Sequence, residues 1–133
     1  MTRTIRNDAG GDGHYGAPRS KKLSNGRVYR DKHNGTDYVY EPGEDVRAPA
    51  TGFVRREAKP YAYENYGGVE LICDKFTLVG FYFKLDRSLI GQTVQKGQGI
   101  GTAQDISNKY PGVTPHVHWR VTQCDPELLI DVK

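Results

Sequence analysis

The sequence predicts an all-β domain, a compact antiparallel β-sheet fold with short helical turns only. Short runs of β-branched and aromatic residues follow one another along the chain, and dipeptides that favour turns separate them. Only residues 105–110 and 126–130 have the composition of a helical turn. The chain has 133 residues, enough for one hydrophobic core and too few for two. We therefore expect a single folded unit.

Seven segments are predicted to be strands because each combines β-branched or aromatic residues with turn formers at its ends. They are residues 36–40, 45–48, 52–58, 69–73, 76–85, 99–103 and 116–122. The turn formers between them are Asn34-Gly35, Pro42-Gly43, Gly67-Gly68, Lys96-Gly97 and Pro111-Gly112.

Two of these segments also indicate their place in a sheet. Residues 76–85 are apolar at both odd and even positions, which is typical of a central strand covered on both faces. Within it, Gly80 indicates a bulge or a close approach of another group to the backbone. Residues 52–58 alternate only loosely, so we expect them nearer an edge.

The first 27 residues are rich in glycine, serine, asparagine and basic residues and show neither a helical nor a strand period. They are interpreted as an arm that wraps the domain. We expect residues 1–12 to be a flexible N-terminal arm and residues 13–133 to be the single domain.

Charge and hydropathy exclude several classes of protein. The net charge is +3 with both signs interspersed, which does not give the dense basic stripe expected of a nucleic-acid-binding protein. No apolar run approaches the ~20 residues needed to span a bilayer, and the first residues lack the apolar stretch of a secretory signal. We expect synthesis in the cytoplasm without a signal. Cys73 and Cys124 lie far apart and are predicted to be free, buried thiols, since a disulfide would need an oxidising compartment.

Three of the four histidines fall in two short motifs, His33-Asn-Gly-Thr-Asp37 and His116-Val117-His118. Side chains two apart in a strand point to the same face, so His116 and His118 should project together with Val117 behind them. Two imidazoles and one carboxylate leave a coordination position open for water, as in catalytic zinc sites. A surface His–Asp pair and an exposed His-x-His without metal are the alternatives.

The order of several motifs resembles the M23 (lysostaphin/LytM-type) zinc metallopeptidase family over about residues 13–130. The motifs are HNGTD, APATGFV, YFKL, GQTVQKGQGIG and TPHVHW. This resemblance implies a compact antiparallel β-fold whose groove crosses a Zn²⁺ ion, and an endopeptidase that cuts peptide bonds in bacterial peptidoglycan. It also implies that His33, Asp37 and His118 bind the metal and that His116 acts on the metal-bound water.

One position departs from the pattern of that family. Its active members usually carry a second catalytic histidine in a Tyr-x-His-Leu segment, where this chain has Tyr82-Phe83-Lys84-Leu85. A protonated Lys84 cannot act as a base, but it can donate a hydrogen bond to the oxyanion that forms on the attacked carbonyl. A vertebrate branch similar to the leukocyte-derived chemotaxin also has lysine there and is regarded as a set of binding proteins.

Three further features bear on the site. His14 is interpreted as a solvated residue of the arm, or as a replacement for the imidazole missing at Lys84. The tyrosines of the segment KPYAYENYGG, which are Tyr61, Tyr63 and Tyr66, either line a groove or pack over the strands. Trp119 follows His118 and should point to the core on the opposite strand face.

The sequence therefore favours a zinc-dependent peptidoglycan endopeptidase with His116 as general base and acid and Lys84 as electrostatic stabiliser. A phage or prophage origin is expected, with the wall reached after holin-assisted release or as part of a virion, where virion or tail proteins would be partners. The alternative is a non-hydrolytic zinc-containing module that binds cell-wall peptide or a protein partner.

Overall fold

The computed structural model describes residues 3–8, 11–13, 18–22, 28–32 and 35–124. Short antiparallel strands dominate this part of the chain, and its helical structure is limited to a 3₁₀ turn at Arg87–Leu89. This confirms the predicted all-β class. The strands are β1 (Asn7–Asp8), β2 (Gly11–Asp12), β3 (Pro18–Lys22), β4 (Val28–Lys32), β5 (Thr36–Val39), β6 (Asp45–Arg47), β7 (Gly52–Glu57), β8 (Gly68–Ile72), β9 (Phe76–Phe81), β10 (Phe83–Leu85), β11 (Thr93–Val94), β12 (Gly99–Ala103) and β13 (His116–Cys124).

A six-stranded sheet in the order β11-β7-β8-β9-β13-β5 forms the body of the fold. A three-stranded sheet in the order β10-β12-β6 accompanies it, and the pairs β1-β2 and β3-β4 form two small hairpins. All the pairings are antiparallel.

The hydrophobic core joins the six-stranded sheet to the three-stranded sheet. From the first come the buried side chains of Leu71, Val117 and Trp119, and from the second those of Phe83 and Ile100. The rings of Phe83 and Trp119 lie 5.7 Å apart between centroids. Trp119 therefore points into the core, as predicted, while its neighbours in β13 with the opposite parity face the other way.

The apolar segment 76–85 is not one strand, and the prediction of a continuous strand is wrong. Tyr82 has a φ of 77°, a left-handed conformation that side chains with a Cβ rarely adopt. The chain turns there, so β9 stays in the six-stranded sheet while β10 enters the three-stranded one. The central position and two-sided burial predicted for the segment are confirmed for β9.

Gly80 and β7 lie where the sequence indicated. A Cβ at Gly80 would meet the ring of Trp119 at 2.6 Å, so this glycine permits a close approach. The register irregularities of the six-stranded sheet fall elsewhere, between Val54 and Arg56 in β7 and between Val121 and Gln123 in β13. Outside β7 the sheet adds only the two-residue strand β11, which agrees with a position near the edge.

The N-terminal residues contribute strands that the sequence did not predict, since β1, β2 and β3 fall within residues 1–27 and β4 follows before the first predicted strand. Two-residue and polar strands carry no detectable alternation. The backbone of residues 4–6 lies along β5: the Val39 N–H donates to the Thr4 carbonyl at 2.7 Å and the Arg6 N–H to the Asp37 carbonyl at 2.8 Å. Residues 4–6 therefore lie against the domain, while the wrapping course of the whole arm and the domain boundary at residue 13 stay predictions.

Other predictions are partly covered by the described residues. Tyr110 N–H donates to the Ile106 carbonyl at 3.0 Å, so the predicted segment 105–110 forms an isolated hydrogen-bonded turn of helical spacing but no helix. The second predicted turn, 126–130, lies outside the described residues. Cys73 is a free buried thiol, and burial raises its pKa. The side chain of Cys124 is not among those described. In the described residues, no helix has the length and apolar character needed to cross a membrane.

Candidate metal centre

Strand register brings Asp37 and His118 together. His118 in β13 lies directly opposite Asp37 in β5 on one side and Phe81 in β9 on the other. Directly opposed residues in neighbouring antiparallel strands share a face of the sheet. His116, two residues from His118, falls on the same face, and Val117 between them is fully buried on the other. The predicted common face of the two histidines is therefore present.

Asp37 and His118 direct a carboxylate oxygen and an imidazole nitrogen toward each other. Nδ1 of His118 donates a hydrogen bond to Oδ1 of Asp37 at 2.8 Å, and both residues are buried. The opposite edge of the imidazole packs against Gly35, where an added Cβ would lie 2.7 Å from Nε2. The ring of Phe81 stacks on that of His118 at 6.0 Å between centroids. Nδ1 is thus the nitrogen that shares a side with the carboxylate.

His116 is fixed in one tautomer. Its Nδ1–H donates to the carbonyl of Thr114 at 2.8 Å, and a carbonyl can only accept. In the neutral ring Nε2 therefore carries the lone pair, and it lies 3.5 Å from Oδ2 of Asp37. Burial lowers the pKa of His116, and the nearby Asp37 carboxylate opposes this shift. The neutral imidazole can accept a proton through Nε2.

Arg6 joins the site from the arm, although no motif or periodicity in the sequence marks it. Its Nε donates to Oδ2 of Asp37 at 3.0 Å, and Nη1 donates to Oδ1 of Asp8 at 2.7 Å. Asp8 in turn accepts from the backbone N–H of Thr114 at 2.6 Å. Arg6 is only 4% exposed. In a polar segment without periodicity, a buried arginine cannot be distinguished from a solvent-exposed one, so the sequence predicts only that Arg6 belongs to the arm.

Two of the histidines named from the sequence, His33 and His14, lie outside the described residues. Within the described part of the chain, no group of three or more His, Cys, Asp or Glu side chains is arranged to hold a metal ion. Of the predicted ligand set the structure therefore places two members, Asp37 and His118. The ligand assignment for His33, and any role of His14, stay predictions.

Lys84 lies in β10, in register with Thr102 of β12. Its side chain is exposed, whereas those of its neighbours Phe83 and Leu85 are buried. In the described structure no hydrogen bond or ion pair joins it to Asp37, His116 or His118. A stabilising role for Lys84 toward a substrate stays a prediction.

A tyrosine cluster, defined as Tyr61, Tyr66, Tyr82 and Tyr110, lies beside His116. The Tyr82 ring meets the His116 ring edge to face at 5.3 Å between centroids. The Tyr61 hydroxyl lies 2.9 Å from that of Tyr82 and also hydrogen-bonds the hydroxyl of Tyr110. Burial raises the pKa of Tyr82 to about 12 and also raises that of Tyr61. Tyr82 and Tyr110 were missed from the sequence, and Tyr63 is fully exposed outside the cluster.

A cavity of about 680 Å³ lies on the other side of β5 and β13. Its lining includes Thr36, Tyr38, Trp119 and Val121, which alternate along their strands with Asp37 and His118. The cavity is therefore separate from the candidate metal centre.

Comparisons with known proteins find a family model, related sequences and a similar fold. The model of Peptidase family M23 matches residues 31–128. Leukocyte cell-derived chemotaxin-2 of Bos taurus and that of Mus musculus are each 32% identical over 120 residues, which covers 89% of this chain and 71% of theirs. A crystal structure of a mutant catalytic domain of the prophage-encoded M23 protein EnpA from Enterococcus faecalis superposes with a TM-score of 0.51 and 20% identity, covering 82% of both chains.

Proposed function

The chain belongs to peptidase family M23, and from this we propose that it is a zinc-dependent endopeptidase acting on the peptides of bacterial peptidoglycan. The observation that carries the proposal is the buried convergence of Asp37, His116 and His118 on one face of the sheet. The protein would act on the cell wall, which it would reach after release from the cell or as part of a phage particle.

The donor set suits zinc. An imidazole nitrogen and a carboxylate oxygen face each other at 2.8 Å in a buried position, and both are ligand types that Zn²⁺ binds well. Asp37 through Oδ1 and His118 through Nδ1 would hold the ion together with His33. When bound, the metal supplies Lewis acidity toward the substrate carbonyl and lowers the pKa of its water.

His116 is suited to moving the proton. Its Nδ1–H donates to the Thr114 carbonyl, so Nε2 is the nitrogen available for proton transfer. It would take a proton from the attacking water and later give it to the leaving amine. The lowered pKa keeps this nitrogen unprotonated at neutral pH. Lys84, as the sequence suggests, would stabilise the oxyanion once a substrate is bound.

The tyrosine cluster supports a peptide groove beside His116. Three linked hydroxyls share two hydrogen bonds, so one of their three protons is left to donate to another acceptor. The aromatic faces and the remaining donor suit a polar peptide backbone.

A second function has support of its own. By the family resemblance, Lys84 stands where active members usually carry histidine, and the chain is 32% identical to proteins named as chemotaxins. The alternative is a non-hydrolytic, zinc-containing module that binds cell-wall peptide or a protein partner through the same groove.

The test is release of new amino groups from purified peptidoglycan sacculi by the zinc-loaded protein, beside a sample treated with chelator and one reloaded with zinc. The peptidase proposal expects release that chelator abolishes and zinc restores. Sacculi that are bound but not cut by a zinc-loaded sample would contradict it and favour the binding module.

Lys84→His separates the two functions further. If the groove already positions a peptide for attack, this variant should cut sacculi faster than the parent protein. In a binding module it should leave hydrolysis undetectable, because no bound peptide bond lies at the metal.

A further inference from the structure

Arg6 is a buried cation clamped between two carboxylates. Its guanidinium donates to Asp37 at 3.0 Å and to Asp8 at 2.7 Å, and its side chain is 5% exposed. Asp8 is itself fixed by the Thr114 N–H at 2.6 Å. Asp37 is also the carboxylate that faces His118. Asp37 therefore accepts a hydrogen bond from Arg6 through Oδ2, while Oδ1 is the oxygen proposed to bind zinc.

The backbone of Arg6 is fixed as firmly as its side chain. Its N–H donates to the Asp37 carbonyl at 2.8 Å, and its carbonyl accepts from Gly13 at 2.6 Å. A Cβ on Gly13 would lie 2.9 Å from Cβ of both Arg6 and Asp37, so the glycine permits this close crossing. Hydrogen bonds to β5 and within the arm therefore fix both the backbone and the guanidinium of Arg6 beside Asp37.

A buried carboxylate is costly unless a cation or hydrogen-bond donors compensate it. We infer that Arg6 is the resident counter-cation of the metal centre: it compensates Asp37 when no metal is bound, and by its charge it weakens zinc binding. This inference rests on the zinc centre proposed above. Arg6 precedes the region matched by the family model, residues 31–128, so the device belongs to the arm of this chain.

The charges give the direction of the effect. Arg6, Asp8 and Asp37 together carry one net negative charge, and zinc would make that sum +1. With a neutral residue at position 6, the sum is −2 without metal and zero with it. Whatever other groups contact the carboxylates, losing the positive charge destabilises the metal-free state and favours the metal-bound one.

The test compares Arg6→Gln with the parent protein in two measurements at about pH 8, where histidines are neutral. Zn²⁺ affinity is measured by competition with a chelating dye, and thermal unfolding is measured with chelator and with zinc. The expected result for Arg6→Gln is zinc affinity about tenfold tighter or more, a lower Tm in chelator, and a larger rise in Tm on adding zinc. A residue that merely supported the fold would not tighten metal binding when removed.

Three further variants serve as controls. Arg6→Gln combined with Asp8→Asn restores the net charge and should return zinc affinity toward that of the parent. Asp8→Asn alone raises the net charge by one and should weaken zinc binding, which tests the inference even if Arg6→Gln does not fold. Arg3→Gln removes a more exposed arm cation that pairs with Glu44 and should leave zinc affinity unchanged.

Zinc affinity in Arg6→Gln that equals or falls below that of the parent would overturn the inference, as would tighter binding in Asp8→Asn. Failure of the zinc centre itself is seen separately, because the parent protein would then bind no zinc and both proposals would fall. A parent that binds zinc and cuts sacculi, with a weaker-binding Arg6→Gln, would overturn this inference alone.

Discussion

His116 and His118 occupy equivalent positions on one strand face, yet their rings have different hydrogen-bond partners. Nδ1 of His118 faces a carboxylate, whereas Nδ1 of His116 faces a backbone carbonyl. The carboxylate and the first ring can share a metal, while the second ring is left with a basic nitrogen. The chemical division between the two residues thus depends on what each Nδ1 meets.

Gly35 controls the position of the His118 ring. A Cβ there would lie 2.4 Å from the Trp119 carbonyl oxygen and 2.6 Å from Cε1 of His118. Gly35→Ala should displace the ring, lower the Tm and weaken zinc binding by about tenfold or more. Dye competition and thermal unfolding measure both effects.

Gly99→Ala is the matched control, because the nearest atom to its added Cβ would be an Asp45 carboxylate oxygen at 3.1 Å, remote from the site. It should leave zinc affinity unchanged. Equal zinc affinity in Gly35→Ala and the parent protein would show that the packing of Gly35 does not position His118.

At the residue scale, the sequence predicted the pairing of His116 and His118 on one face because strand alternation is local. It could not predict that Asp37 lies opposite His118, since the register between β5 and β13 depends on strands 81 residues apart in the chain. The family resemblance supplied that pairing. Neither strand alternation nor the family resemblance predicted Arg6 as a site residue, because no periodicity or motif marks it.

At the scale of elements, the break between β9 and β10 is what brings Tyr82 to His116. The left-handed φ of 77° turns the chain out of one sheet and into the other. Such a conformation costs of order 1–3 kcal/mol and persists where the surrounding structure fixes it. A run that is apolar at both odd and even positions predicts burial but does not mark the kink, so the sequence predicts one strand where the structure has two.

Tyr82 helps to keep His116 buried and neutral. Asparagine tolerates a left-handed backbone, so Tyr82→Asn can remove the ring without adding backbone strain. This variant should raise the pKa of His116 toward its ordinary value. Tyr82→Phe keeps the ring and should leave that pKa low. NMR titration of the imidazole protons in chelator measures it, and an unchanged pKa in Tyr82→Asn would contradict this role.

The sign for stability follows from the same pKa. Because His116 has a lower pKa folded than unfolded, the unfolded chain binds more protons as pH falls below about 6.5, and its contribution to stability is lost there. Tyr82→Asn should reduce this part of the acid dependence of the Tm relative to Tyr82→Phe.

At the scale of the whole molecule, the sheets are joined through aromatic packing behind the site. Phe83 of β10 is fully buried and contacts Trp119 of β13, whose neighbour His118 faces the site. The core thus supports the strand that carries both histidines.

Phe83→Ala should lower the free energy of unfolding by about 3–5 kcal/mol, because it leaves a cavity between the sheets. Phe53→Ala is the control: that ring is 43% exposed, and the loss should stay below about 1 kcal/mol. Urea unfolding followed by tryptophan fluorescence gives both values. Similar losses in the two variants would contradict the assigned core.

The all-β class, most strand positions and the core position of Trp119 followed from patterns within single segments. Strand order and the division into two sheets did not, because they depend on contacts between distant segments. The sequence does not predict the short strands β1 to β4 and β11 for a related reason: their pairing is set by neighbours and not by their own composition.

The most direct test of the central claim measures bound zinc and hydrolysis of sacculi together in His116→Ala and His118→Ala. We expect His118→Ala to lose both zinc and hydrolysis, because it removes a ligand. We expect His116→Ala to keep one zinc per chain, because His116 is not one of the proposed ligands. It should lose hydrolysis, because the group that moves the proton is gone. Zinc retained in full by His118→Ala, or hydrolysis retained by His116→Ala, would contradict the account.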